Sequence, residues 1–298
     1  MGFLEHSTSG IIESPYYIFA WGAPGIGKSS FAAGFPKPYF LDLEGGTLQL
    51  SVSRATQLKT FQDVRDILKE LLNSDYQTIV IDTIDALEPL IFHAVCALDG
   101  SASIDKAQGG YGKGIVKSLD YVRELLEDCE KLKDKGKHVV FLGHSQIKTF
   151  NDPTTVASYN IFAPKLNDKL SALFIERVDA VFYMTHEISM KAEKDQKKNR
   201  AFGDGKRVMH TEFRTGFVAK NRYGLPATMG LSFSEFDSAA KKGEPESLES
   251  IQSYIQNLLP LVNDLNTRQR AETATKNAGS DIKKLSAILN QLRIVANS

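Results

Sequence analysis

The chain of 298 residues carries 36 lysines and arginines against 36 aspartates and glutamates, is 42% apolar and contains two cysteines. This suffices for one large α/β domain, or a domain with a smaller appendage, and it excludes wholesale disorder. Balanced charge gives no global field to attract nucleic acid, so any such contact must be local. The longest apolar runs fall far short of the ~20 residues of a bilayer span, so a cytoplasmic setting without membrane contact is expected. Cys96 and Cys129 stand alone, without a C-x-x-C pair, and read as reduced thiols rather than a disulfide or a zinc site.

In chain order, residues 16–21 and 38–43 read as short strands. Residues 61–74 form a helix that places Val64, Ile67, Leu68, Leu71 and Leu72 on one stripe. Residues 77–82 have the continuous apolar character of a strand buried on both faces. Helices over 84–98 and 114–136 follow, the second stopping at Gly136. Next come a strand at 138–143, a polar loop, a helix near 164–177 and strand character over 179–190. Strands alternating with helices predict an α/β fold with a doubly wound, mostly parallel sheet. Residues 179–190 and 206–221 flank a charged stretch and predict an antiparallel extension at one sheet edge. Beyond residue 234 only helical patterns remain, so residues 1–234 read as the core and 235–298 as a linker with a C-terminal helical appendage.

The segment GAPGIGKS fits the phosphate-binding pattern G-x-x-x-x-G-K-S/T from Gly22 to Ser29. It follows an apolar strand and leads into SSFAAG, the strand–loop–helix setting that the chemistry requires. The loop of Gly22, Ala23, Pro24, Gly25, Ile26 and Gly27, continuing into Lys28, Ser29 and Ser30, is the predicted phosphate-binding segment. Its glycines let consecutive backbone N–H groups curl around the phosphates, while Pro24 shapes the turn without donating. Lys28 is the point charge for the β- and γ-phosphates, and the Ser29 hydroxyl is a ligand for Mg²⁺. The predicted ligands are therefore ATP and Mg²⁺. Asp82, just past the apolar strand 77–81, is placed to hold the metal through water.

Thr83 follows Asp82, where many motor ATPases of the AAA+ group place a glutamate. A different carboxylate must then orient the attacking water. Glu44 ends the strand after the phosphate-loop helix, before two glycines, and a strand neighbouring the phosphate-loop strand would bring it to the γ-phosphate. Asp85 and Glu88 are further candidates on the following helix.

A strand ending D-x-E after the phosphate-loop helix, with IVIDTIDAL further on, resembles the RecA-like core ATPases. More narrowly, GAPGIGKSSFA, FLDLEGG, VIDTIDALE, GGYGKG and ERVDAVFY resemble phage-encoded RecA-like ATPases linked to single-strand annealing. The resemblance spans roughly residues 15–230 and implies a P-loop NTPase of RecA type. It places the water-activating role on Glu44 and a polar γ-phosphate sensor on His144 or Gln146. VAKNRYGLP resembles a segment whose two cations reach a neighbouring subunit's triphosphate, here Lys220 and Arg222. This implies self-association into a ring or filament.

The same resemblance implies two loops facing single-stranded DNA. The first, 98–114, carries Lys106, Tyr111 and Lys113. The second, 145–165, carries Lys148, Phe150, Tyr159, Phe162 and Lys165. Cations interleaved with aromatics suit phosphate contact and base stacking. The basic run over 191–207 is a further candidate contact. Recombination or strand annealing on single-stranded DNA is the expected function, with a single-strand-binding protein as a candidate partner of the C-terminal helices. A protein-remodelling ATPase and a nucleotide-gated scaffold are the alternatives.

Overall fold

A computed structural model describes residues 14–151, 157–187, 189–191, 200–202, 205–241 and 265–281, with Gln252, Ile255, Gln256, Leu259, Lys284, Leu285, Ala287 and Ile288. The chain divides after Ala240 into a core unit, Ile12–Ala240, and a unit that takes in Lys241–Ser298.

The core is built on β1 (Tyr17–Gly22), which runs through the phosphate-loop helix α1 (Lys28–Ala33) to β2 (Pro38–Asp42) and β3 (Ser53–Ala55). Next come α2 (Phe61–Leu71), β4 (Thr78–Asp82), α3 (Ile84–Ala97) and α4 (Lys113–Asp134). They are followed by β5 (His138–Phe150), β6 (Tyr159–Pro164), α5 (Asp168–Arg177) and β7 (Ala180–His186). A small hairpin of β8 (Ser189–Lys191) and β9 (Arg200–Phe202) precedes β10 (Arg207–His210), β11 (Lys220–Asn221), β12 (Thr228–Gly230) and α6 (Phe233–Lys241). In the second unit α7 spans Leu265–Ala278, and Ile255, Ala278 and Leu285 are buried together.

The main sheet runs β12-β10-β7-β1-β5-β4-β2-β3. Strands β7, β1, β5, β4, β2 and β3 are parallel, while β10, β11 and β12 pair antiparallel beyond β1. The expected antiparallel extension is therefore present. Alternation along β1 sends Tyr17, Phe19 and Trp21 into a core with α2, α3, α4 and α5, and Ile18 and Ala20 into one with α1 and α6. The α2 stripe packs as its spacing predicts, and the helix starts on a reciprocal cap: Asp63 N donates to Thr60 Oγ1 (3.1 Å) and Thr60 N to Asp63 Oδ2 (2.8 Å).

Three expectations change. β2 does not neighbour β1: β4 and β5 lie between them. The expected loop 145–165 is instead a β-hairpin, because β5 continues to Phe150 and pairs with β6 from Ser145↔Pro164 to Phe150↔Tyr159. The expected boundary at residue 234 falls inside α6, whose Phe236 is fully buried against Phe31, Phe35, Phe182 and Tyr223. Polar flanks concealed this helix's apolar anchor. No described helix is long and apolar enough to cross a membrane.

Candidate nucleotide site

Gly22 closes β1 opposite His144 of β5 and Met184 of β7. A Cβ there would lie 2.2 Å from the Met184 carbonyl oxygen, so glycine is required by the neighbouring strand as well as by the loop. Ala23, Pro24 and Gly25 are exposed, Ile26 is buried and anchors the loop, and Gly27 has φ 111° before α1 begins. Ser30 is exposed in the first turn of that helix. The buried Lys28 ammonium donates to the Gly22 (3.2 Å) and Ala23 (3.1 Å) carbonyl oxygens. Burial lowers its pKa, while Asp82, Asp85 and Glu44 favour its charge.

Ser29 Oγ donates to Asp82 Oδ2 at 2.6 Å. Burial pushes the Asp82 carboxyl upward and the Ser29 hydrogen bond opposes that shift. A hydroxyl and a buried carboxyl converge beside the phosphate loop, the oxygen donor set a magnesium ion uses. The residues present therefore fit Mg²⁺.

The turn that carries Glu44 is shaped by Asp42, the aspartate of the D-x-E strand end, to which no role was given above. Asp42 Oδ1 accepts from Gly45 N (2.8 Å) and Gly46 N (3.1 Å), and Oδ2 from Thr47 N (3.1 Å) and Thr47 Oγ1 (2.5 Å). Gly45 takes φ 75° in this turn. Glu44 is thereby carried past β4, where its Oε1 accepts from Thr83 Oγ1 (2.7 Å) and lies 3.4 Å from His144 Nδ1. Thr83, the residue after Asp82, thus holds the Glu44 carboxylate.

His144 is fixed from the other side. Asp85, in the first turn of α3, accepts from the His144 backbone N (2.9 Å) and faces Nδ1 (2.8 Å). Carboxylate oxygens only accept, so the Nδ1 that faces two of them is the donor in this contact. The ligand atoms of Glu44, Asp85 and His144 lie within 4.8 Å of one another, a spacing a cation could use, but the Nδ1 proton already satisfies the trio. Gln146 is not in this group: its Nε2 donates to Pro164 O (2.9 Å) within the hairpin. Glu88 is also elsewhere, accepting from Asn167 N (2.7 Å).

Lys220 and Arg222 sit beside the start of β7, whereas Gly22 pairs with Met184 near its end. Lys220 Nζ donates to the carbonyl oxygens of Ile175 (2.9 Å), Glu176 (2.9 Å) and Val178 (2.6 Å), so all three of its donors serve the end of α5 in its own chain. Arg222, with a side chain 58% exposed, faces Asp179 at 3.3 Å.

In the first expected DNA loop Tyr111 is 99% exposed and Lys113 opens α4 in solvent. On the hairpin Ile147, Phe150 and Phe162 are exposed, Phe150 meets Tyr159 edge-on, and Phe162 stacks on Tyr183. Lys165 is exposed, while Lys148 is ion-paired with Asp168. Residues 152–156 of the hairpin, and 192–199 and 203–204 of the basic run, lie outside the described residues, as do most of those beyond 241.

The AAA domain family matches residues 14–223, more than half of the chain. A curated relative, the SPbeta prophage-derived uncharacterized protein YorG of Bacillus subtilis (strain 168), is 25% identical over 134 residues, which cover 43% of this chain and 40% of the relative. The matched part is thus well under two thirds of that relative's length.

Proposed function

The chain belongs to the AAA domain family, and on that premise we propose that it is a Mg²⁺-dependent ATPase of RecA-like type whose cycle is coupled to single-stranded DNA. The observation that carries the proposal is the convergence of Ser29, Asp82, Glu44 and His144 at one end of β1 and β5, with β5 running on unbroken into the exposed hairpin.

The loop amides and Lys28 bind the triphosphate. Ser29 and Asp82 hold Mg²⁺, which when bound neutralises charge on the phosphate oxygens. Glu44 takes a proton from the attacking water, whose oxygen bonds to the γ-phosphorus as the bond to ADP breaks. Thr83 and His144 aim the Glu44 carboxylate, and Asp85 aims His144. The His144 carbonyl oxygen accepts from Lys165 N (2.8 Å), so this residue also joins the site to β6. For self-association, Arg222 is the cation left to meet a neighbouring copy, since Lys220 is held by α5.

One observation favours a protein partner instead. The hairpin presents Ile147, Phe150 and Phe162 while Lys148 is spent on Asp168, an apolar rather than a basic surface. ATP hydrolysis with and without single-stranded DNA separates the readings, with Lys28→Ala as background. Stimulation by DNA that is lost in Phe150→Ala supports the DNA reading. Hydrolysis indifferent to DNA supports the protein partner, and ATP binding without turnover leaves a nucleotide-gated scaffold.

A further inference from the structure

The antiparallel extension brings a cation to the phosphate loop that the roles above leave unused. Arg207 opens β10, and its place is fixed by the pairs Arg207↔His186, Val208↔Thr185 and Met209↔Met184 against β7. The strand end is closed by Glu187 N donating to Lys206 O (2.8 Å) and by the Lys206–Glu187 ion pair at 3.1 Å. Arg207 lies two positions from the buried Met209 and so shares its face of the sheet, the α1 face. A Cβ on Gly27 would stand 3.3 Å from Arg207 Nη1 and 3.7 Å from Leu231 Cδ2. The guanidinium therefore rests against the last glycine of the phosphate loop. Arg207 is exposed and, among the described residues, its side chain makes no hydrogen bond or ion pair.

Charge around the loop is divided by the sheet order. Asp42, Glu44, Asp82 and Asp85 belong to β2, β4 and the segments after them, on the β5 side of β1. Arg207 stands on the other side, beyond β7. The acidic flank suits a metal ion. An unpaired guanidinium on the opposite flank suits an anion, and its planar fork matches phosphate oxygens.

We infer that Arg207 is a nucleotide-binding residue contributed in cis, its guanidinium contacting the polyphosphate of a nucleoside di- or triphosphate held by the loop 22–29. The inference rests on the nucleotide-binding reading above and adds a second cation to Lys28. It also gives the antiparallel extension a role, since β10 and β12 set the position of a charge that no residue of the parallel sheet provides.

The test is equilibrium binding of Mg·ATP to the full chain as wild type, Arg207→Lys and Arg207→Gln, with thermal unfolding of each to verify folding. Arg207→Gln keeps hydrogen-bonding capacity but loses the charge. It is expected to weaken ATP binding about tenfold or more, with Arg207→Lys recovering much of the loss. Arg207→Gln binding ATP as wild type does overturns the inference. Arg207→Lys losing as much as Arg207→Gln also supports the contact, which then rests on the planar fork rather than on charge alone. A wild type that binds no ATP rejects the nucleotide reading itself, an outcome distinct from wild-type binding unchanged by substitution.

Discussion

Gly22 illustrates how a residue chosen for one partner is constrained by another. A methyl group at this position meets the Met184 carbonyl at 2.2 Å, and the backbone of β7 cannot yield without disturbing the central sheet. Gly22→Ala should lower stability by about 1–3 kcal/mol, read as a fall in the thermal midpoint without nucleotide. Asp85 acts through His144 rather than on substrate. Asp85→Asn leaves the backbone bond possible but offers an N–H to Nδ1, favouring the wrong tautomer. Turnover should fall at least about tenfold while KM for ATP changes little, and equal losses in both would assign Asp85 to folding alone. The phosphate loop is legible in the sequence because each of its demands is local: glycine where φ is positive, a cation and a hydroxyl at fixed offsets. The Asp85–His144 contact is not, because its partners are 59 residues apart and meet only through the register of β4 against β5. Arg207 is legible only as one of a basic run, since its proximity to Gly27 depends on how β10 pairs.

Among elements, α2 and α4 are joined by charge as well as by apolar packing. Arg65 of α2 donates to Asp128 Oδ2 (2.7 Å) and pairs with Glu124 (2.5 Å), and Lys131 faces Asp128 at 2.9 Å. Burial works against the Asp128 charge, yet the Arg65 and Lys131 hydrogen bonds hold its pKa below the usual carboxylate range. A carboxyl with a depressed folded pKa binds fewer protons folded than unfolded. Its stabilisation is therefore present above the ordinary carboxylate pKa and is lost as pH falls through the lower, folded value. Arg65→Met should cost about 1–3 kcal/mol at neutral pH and flatten the acid side of the stability–pH curve, as measured by urea unfolding at several pH values. An unchanged acid slope would remove Asp128 from that account. The hairpin escapes a sequence reading at this scale for a physical reason. Ser145, Gln146, Lys148 and Thr149 are polar, so the strand carries no continuous apolar run once it leaves the sheet, and backbone pairing with local contacts such as Phe150 on Tyr159 holds its second half.

At the scale of the whole molecule, two natural probes sit in one core. Trp21, the sole tryptophan, is fully buried and packs on Tyr183 with ring centroids 4.5 Å apart. Cys129 is fully buried in the same cluster, and burial pushes its thiol far above the usual range. In a Cys96→Ser background, Cys129 should resist thiol reagents until that core opens. Its labelling and the red shift of Trp21 emission should then trace one transition in denaturant, and separated midpoints would show that the sheet's α4 side opens independently. The strand order of the parallel sheet follows from alternating strands and helices only in outline. Which strand lies beside β1 is set by crossover choices that no local pattern records.

The ten-stranded sheet ends on β3 at one side and β12 at the other, each only three residues long. So short a border offers few unpaired backbone groups to an incoming strand. At these two borders, edge-to-edge pairing of copies into a continuous sheet is disfavoured. The self-association proposed above would then use side chains on loops and faces, whose contacts can be made and released rather than locked by a backbone ladder.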